Sequence, residues 1–301
     1  MRTPTRFAFI SSLLFILCAS LSAQQNFDTV QVRTIPVRGN VYMLMGSGGN
    51  IGVTVGDDGV VLIDDEFAPL TEKIKAAIAK LSPKPIRFLL NTHWHGDHTG
   101  GNENIGKMGV VIVAQDNVRN RMSVDQFNAF FNRKTPASPA IALPIVTFAS
   151  SVTLHQNGDD LHFFHVDSAH TDGDAVVHFV KSNVIHTGDV FFSQAYPFID
   201  LSSGGSIDGY INGVKQILVL ADDQTKIIPG HGELSDKKGL QNFYDMLKNV
   251  RETVAAQIKA GKSLDQINAS KPSKAYDDQW GKGFVAPDIF VGVIYHSLTG
   301  K

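Results

Sequence analysis

The sequence predicts an α/β protein built as a pair of packed sheets with helices outside them. Three observations carry this prediction. Short runs of β-branched residues recur along the chain and are separated by turn residues. Helical periodicity appears only after several such runs, and the order of strands first, then βα units, occurs twice. The third is a cluster of metal-binding side chains, His93-Trp94-His95-Gly96-Asp97-His98, directly behind the apolar run Ile86-Arg87-Phe88-Leu89-Leu90. Loops at the ends of buried strands are where α/β folds place their sites.

The first half opens with predicted strands over residues 30–35, 41–45, 51–55 and 60–63. Arg38-Gly39-Asn40, Gly46-Ser47-Gly48-Gly49-Asn50 and Gly56-Asp57-Asp58-Gly59 punctuate them, the last with hairpin chemistry. Pro69 opens a helix to Leu81, in which Leu70, Ile74, Ala77, Ile78 and Leu81 share one face. Pro83 and Pro85 end it, and a strand over 86–90 delivers the histidine loop. A short helix, a strand over 110–113 and a second helix from Asp116 to about Phe131 follow. Residues 135–144 carry Pro136, Pro139 and Pro144 and predict a loop. The second half has strands near Val152 and over 161–166, 175–180 and 183–186, then a helix over 207–220, a strand over 226–228 and a long helix over 237–260. No linker or short repeat divides the chain.

The 301 residues are 43% hydrophobic and 19% charged, an ordinary globular composition with length enough for a large core. A formal net charge of −2 argues against nucleic acid or an anionic membrane as partner. Residues 1–23 are expected to be a secretory signal peptide: Arg2 and Arg6 precede an apolar stretch from Phe7 to Leu17, and small residues end at Ala23. An uncleaved N-terminal anchor is the alternative. The expected mature chain, residues 24–301, is one domain, exported to the periplasm or secreted, and off the membrane after cleavage. Cys18 is the one cysteine and leaves with the signal, so any zinc must be held by His, Asp or Glu.

Three further metal-binding residues lie in glycine-containing loops directly after predicted strands: His170 in Ser168-Ala169-His170-Thr171-Asp172-Gly173-Asp174, Asp189 in His186-Thr187-Gly188-Asp189, and His231 in Pro229-Gly230-His231-Gly232. Glycine beside such a residue lets the backbone turn sharply and come close to an ion. Four strand ends with the same kind of cargo imply that all four meet at one edge of the sheets.

The HWHGDH run with His170, Asp189 and His231, in that order and spacing, resembles the metallo-β-lactamase superfamily from about Gly49 to His231. The resemblance implies an αββα four-layer sandwich and a two-zinc site. It implies that His93, His95 and His170 hold the first zinc, that Asp97, His98 and His231 hold the second, and that Asp189 bridges both. Asp64, at the end of Val61-Leu62-Ile63-Asp64, matches the superfamily's early structural aspartate that supports the ligands. A metal-bound hydroxide would be the nucleophile, with Asp97 orienting it and shuttling its proton. The remaining histidines, His155, His162, His165, His178 and His296, read as ordinary residues. His186, Asp172 and Asp174 read as turn residues or supports for the ligands.

The expected function is a zinc-dependent metallo-hydrolase acting on an ester, lactone, thioester or amide of a small molecule. Asp189 argues against a β-lactamase proper, whose familiar subclasses carry cysteine or serine there, and 190–194 lacks the lysine some of them use for a drug carboxylate. A glyoxalase II-type thioesterase would carry a basic C-terminal helical domain, which residues after His231 do not suggest. The competing readings are a β-lactamase, a mononuclear iron enzyme oxidising sulfur species, and a non-catalytic metal-binding protein. The stretch from Tyr196 to Ser206 reads either as a border of the mouth of the site or as the plain connection into the helix over 207–220, and Gly46 to Asn50 reads as a second candidate rim loop, flexible enough to act as a flap.

Overall fold

A computed structural model describes residues 26–300. The predicted signal, residues 1–23, lies outside the described residues. Strands β1 (Arg33–Arg38), β2 (Val41–Met45), β3 (Ile51–Gly56) and β4 (Gly59–Ile63) form an antiparallel meander. Helix α1 (Thr71–Ala79) then crosses to β5 (Ile86–Asn91), parallel to β4. Two short helices, α2 (Gly96–Thr99) and α3 (Asn102–Gly106), lead to β6 (Val111–Gln115), also parallel. Helix α4 (Asp116–Met122) is followed by a separate hairpin of β7 (Gln126–Asn128) and β8 (Arg133–Thr135), and β9 (Val146–Phe148) closes a seven-stranded sheet in the order β1-β2-β3-β4-β5-β6-β9.

The second sheet contains β10 (Ser151–Gln156), β11 (Asp159–His165), β12 (Ala175–Phe179), β13 (Val184–His186), β14 (Lys226–Ile228) and β15 (Ser235–Asp236), in that order. Helix α5 (Ile207–Leu220) connects β13 to β14, and α6 (Lys237–Lys259), α7 (Leu264–Ala269), α8 (Asp277–Trp280) and α9 (Pro287–Thr299) complete the chain.

Strand alternation makes the layers. In β4, Val61 and Ile63 face the second sheet and join Leu161, Phe163, Val177 and Phe179 in a core between the sheets. Val60 and Leu62 point the other way, against Ile74 and Ile78 of α1 and Ile105 of α3. On the far side, Val176, Ile185 and Ile227 meet Val214, Ile217, Phe243 and Phe290 of α5, α6 and α9. The order is helix, sheet, sheet, helix, the predicted αββα sandwich.

One predicted element is wrong. The helix from Asp116 stops at Met122, and residues 126–135 form the β7–β8 hairpin instead. The apolar residues Val124, Phe127, Phe130 and Phe131 mimic helical spacing, but all four are exposed and no core rewards that face. Asn132 turns the hairpin at φ 47°. Strand β1 also starts three residues later than predicted, at Arg33.

Candidate metal centre

Topology brings the site loops to one edge. Strands β11 and β13 are both antiparallel to β12, so they run the same way, and β14 is parallel to β13. Their C-terminal ends carry His170, Asp189 and His231. Parallel strands β4 and β5 deliver Asp64 and the HWHGDH loop from the other sheet. The seven predicted metal-binding residues therefore converge, in three overlapping groups whose atoms lie within 4.8 Å of one another: His93, His95 and His170; His93, His98 and Asp189; and Asp97, His98 and His231.

The first group is three imidazoles edge to face, with ring centroids 4.7 to 4.8 Å apart and interplanar angles of 83 to 88°. Rings so disposed point their lone pairs at one place. His95 Nδ1 lies 2.8 Å from His170 Nε2. Asp189 spans the two halves. Its Oδ2 is 3.4 Å from His170 Nε2 and 3.8 Å from His93 Nε2. Its Oδ1 is 3.0 Å from His98 Nε2 and 3.5 Å from His231 Nε2. Ligands about 2.0–2.1 Å from a tetrahedral zinc stand roughly 3.3 Å from each other, which these spacings bracket. His93 Nε2 is buried with no hydrogen-bond partner, a costly state for an atom whose natural partner is a cation. The residues present fit a pair of divalent metals.

Four of the five imidazoles are oriented from behind. His98 Nδ1 meets Asp64 Oδ2 at 2.8 Å, and Asp64 also accepts from the Thr92 amide and hydroxyl. His93 Nδ1 contacts Thr92 Oγ1 at 3.1 Å, and His170 Nδ1 donates to the Phe198 carbonyl at 2.6 Å. His95 Nε2 meets Asp200 Oδ2 at 2.9 Å. Such partners fix which ring nitrogen faces the metal. Asp64 thus sits directly behind His98.

Electrostatics divides the site into two halves. Burial pushes His93 well below the usual histidine range and His170 down to about 4, so both are neutral at pH 7. Burial opposes charge on His98 and His231 too, but the carboxylates of Asp189 and Asp97 outweigh it, and Asp64 adds to the effect on His98. His98 is raised well above the usual range and His231 to about 9. Burial likewise raises Asp97 and Asp189, but the charge on His98 and His231 outweighs it and holds both carboxyls ionised.

The model of the metallo-beta-lactamase superfamily matches residues 44–231. The chain belongs to the metallo-beta-lactamase superfamily. It is a hydrolase of that superfamily with a His/Asp metal-binding cluster, and superfamily members bind metal ions, typically zinc. It is 20% identical to a metallo-beta-lactamase type 2 of Bacteroides fragilis over 261 residues, 83% of this chain and 98% of the relative. It is 23% identical to the Bacillus cereus metallo-beta-lactamase type 2 over 195 residues, 63% of this chain and 69% of that one. The structure of a metallo-beta-lactamase from Pontibacter korlensis matches with TM-score 0.60 and 20% identity, over 73% of this chain and all of its own. A stereoselective inverting sec-alkylsulfatase from Pseudomonas sp. matches with TM-score 0.69 and 19% identity over 89% of this chain, which spans 50% of that enzyme.

Relative to the superfamily pattern read from sequence, the structure adds three residues and corrects one loop. Asp200 lies in the stretch expected at the mouth, but its partner His95 is 105 positions away and nothing local betrays the pairing. Asn128, in the misread helix, donates to Asp200 at 3.0 Å. Asn50 staples the two sheets: its side chain donates to the carbonyls of Pro229 and Gly232, and its carbonyl contacts His186 Nε2 at 3.0 Å. His186 is therefore buried support. The loop Gly46 to Asn50 is pinned, not a free flap. Glu66 accepts from the amides of Ser47 and Gly48, and the Gly49 amide donates to Asp97 O at 3.0 Å. A Cβ on Gly49 would fall 2.1 Å from His98 Cε1, so only glycine lets this loop close on the site. Asp172 pairs with Arg121, and Asp174 accepts from the His170 and Thr171 amides. His155, His162, His165 and His178 stay in strands away from the cluster.

Proposed function

We propose that the chain is an exported binuclear zinc hydrolase acting on an ester, lactone, thioester or amide of a small molecule. The observation that carries this reading is Asp189, with one oxygen toward His93 and His170 and the other toward His98 and His231. A carboxylate so placed is a natural bridge between two cations. In the proposed assignment His93, His95 and His170 hold one zinc, and Asp97, His98 and His231 the other. Bound there, the metals supply Lewis acidity and a water of lowered pKa.

The chain's own groups do the rest. Asp97, His231 and His95 are the ligand side chains that keep solvent exposure, 30%, 30% and 15%, so substrate approaches over them. Asp97 is ionised and partly open, fit to accept the nucleophile's proton and pass it to the leaving group. Asp64 and Asp200 lock His98 and His95 against rotation, and Thr92 and the Phe198 carbonyl do the same for His93 and His170.

The test is metal quantification on purified protein with a panel of esters, lactones, thioesters and cephalosporins, with and without chelator. Two zincs per chain and chelator-sensitive turnover support the reading. One iron per chain would replace it with the sulfur-oxidising alternative, against which the intact Asp97, His98 and His231 group argues. A sec-alkyl sulfate belongs in the panel, because the likeness to the alkylsulfatase spans 89% of this chain.

A further inference from the structure

Four phenylalanines from three distant stretches meet beside the first histidine group. Phe130 and Phe131 sit on the turn of the β7–β8 hairpin, Phe198 follows the Asp189 loop, and Phe284 lies between α8 and α9. Phe131 lies 5.3 Å from Phe198 and 5.7 Å from Phe284 between ring centroids, and Phe130 lies 5.1 Å from Phe198. Phe198 is buried, and its ring is 5.9 Å from His170 and 6.2 Å from His95. The other three face solvent, with Phe130 43%, Phe131 45% and Phe284 68% exposed. A contiguous aromatic surface of this kind marks a binding site more often than a bare exterior.

Its anchorage ties it to the metal centre. Asp200 Oδ2, which holds His95, also accepts from Asn128 of the hairpin, and the Ala129 amide donates to Ser202 Oγ beside it. One carboxylate therefore positions a metal-binding imidazole and the aromatic hairpin together. A surface built for a membrane or a second copy has no need of that link.

We propose that Phe130, Phe131 and Phe284, floored by Phe198, bind the apolar part of the substrate. The substrate class is then an ester, lactone, thioester or amide whose acyl, alkyl or aryl group is larger than acetyl and lies on the His95 and His170 side. This rests on the hydrolase reading above for the bond that is broken, and on the aromatic surface for the group that is held.

The experiment measures calorimetric Kd values of zinc-loaded protein for straight-chain hydroxamic acids from aceto- to octanohydroxamate. Each buried methylene should tighten binding about fourfold. In the F131A/F284A double variant that slope should fall by at least half while the acetohydroxamate Kd is unchanged, and F131L/F284L should restore it. A flat series in the wild type, or an unchanged slope in the double variant, overturns the proposal. If no hydroxamate binds, the metal reading fails, and the surface is judged alone by anilinonaphthalene sulfonate fluorescence on chelator-treated protein. Emission lost in the double variant supports it, and unchanged emission overturns it. Ester turnover independent of acyl length would overturn the proposal and leave the hydrolase standing. Wild-type dimers that the double variant dissolves, or Phe-dependent flotation with phosphatidylcholine vesicles, would assign the surface to another occupant and overturn it.

Discussion

Raising the pH of the metal-free protein from 6.5 to 9.5 should unfold it more easily, and the size of the effect comes from one half of the site. Folding lifts His231 from 6.5 to about 9, through the charges of Asp189 and Asp97. A group whose folded pKa is raised contributes stability that is complete below the unfolded value and lost as pH climbs through the folded one. The window is therefore pH 6.5 to about 9. A rise of this size corresponds to about 3 kcal/mol at 1.36 kcal/mol per pH unit. The His231 side chain keeps 30% exposure, and water screening brings the figure nearer about 2 kcal/mol. His98 is raised in the same direction and adds to the loss. His93 and His170 are lowered, so their contributions change only below pH 6.5 and leave this window flat.

The assay is urea denaturation of chelator-treated protein at pH 6.5, 8 and 9.5, repeated with zinc. Metal-free protein should lose at least about 2 kcal/mol across the series. Zinc-loaded protein should lose none of it, because binding needs His98 and His231 neutral and tightens as protons leave. A metal-free stability that is level or rising over this range would refute the argument that these two histidines carry protons between Asp97 and Asp189.

Other substitutions report on separate parts of the site. Asp97→Asn should lower kcat by about 100-fold or more on whatever substrate the panel reveals, measured beside zinc content; near wild-type turnover would remove its proton role. Asp200→Ala should weaken zinc binding by about 10- to 100-fold, as loss of a ligand's outer partner does, with circular dichroism unchanged. Gly230→Ala should displace Asp189, since its Cβ would stand 2.1 Å from Asp189 Oδ1 and 2.6 Å from the Gly188 carbonyl; mass spectrometry under native conditions should find fewer than two zincs per chain.

The metal-binding residues are legible because each sits within a few positions of a strand end in a glycine-containing loop. Local pattern suffices where local pattern places the residue: β2, α5 and β14 occur at the predicted bounds. The outer partners were another matter. Asp64 was readable through the family resemblance, but Asp200 and Asn128 meet 72 residues apart, and no periodicity predicts that contact. The glycines around Asn50 predict a flexible loop, while the Asn50 amide pins that loop to the other sheet. Glycine was there for close approach to His98, a need that only packing reveals.

The misread helix and the aromatic surface are one fact seen twice. Phe127, Phe130 and Phe131 have helical spacing, yet the chain folds as a hairpin and leaves them 53%, 43% and 45% exposed. A local rule broken without reward in the core points to a reward elsewhere. This makes a sharp contrast in stability. Phe131→Ala should change unfolding free energy by less than about 0.5 kcal/mol, as surface substitutions do. Phe163→Ala, fully buried between the sheets, should cost about 3–5 kcal/mol. A cost above about 2 kcal/mol for Phe131→Ala would mean the hairpin phenylalanines hold the fold together, and the case for a substrate surface would lose its physical premise.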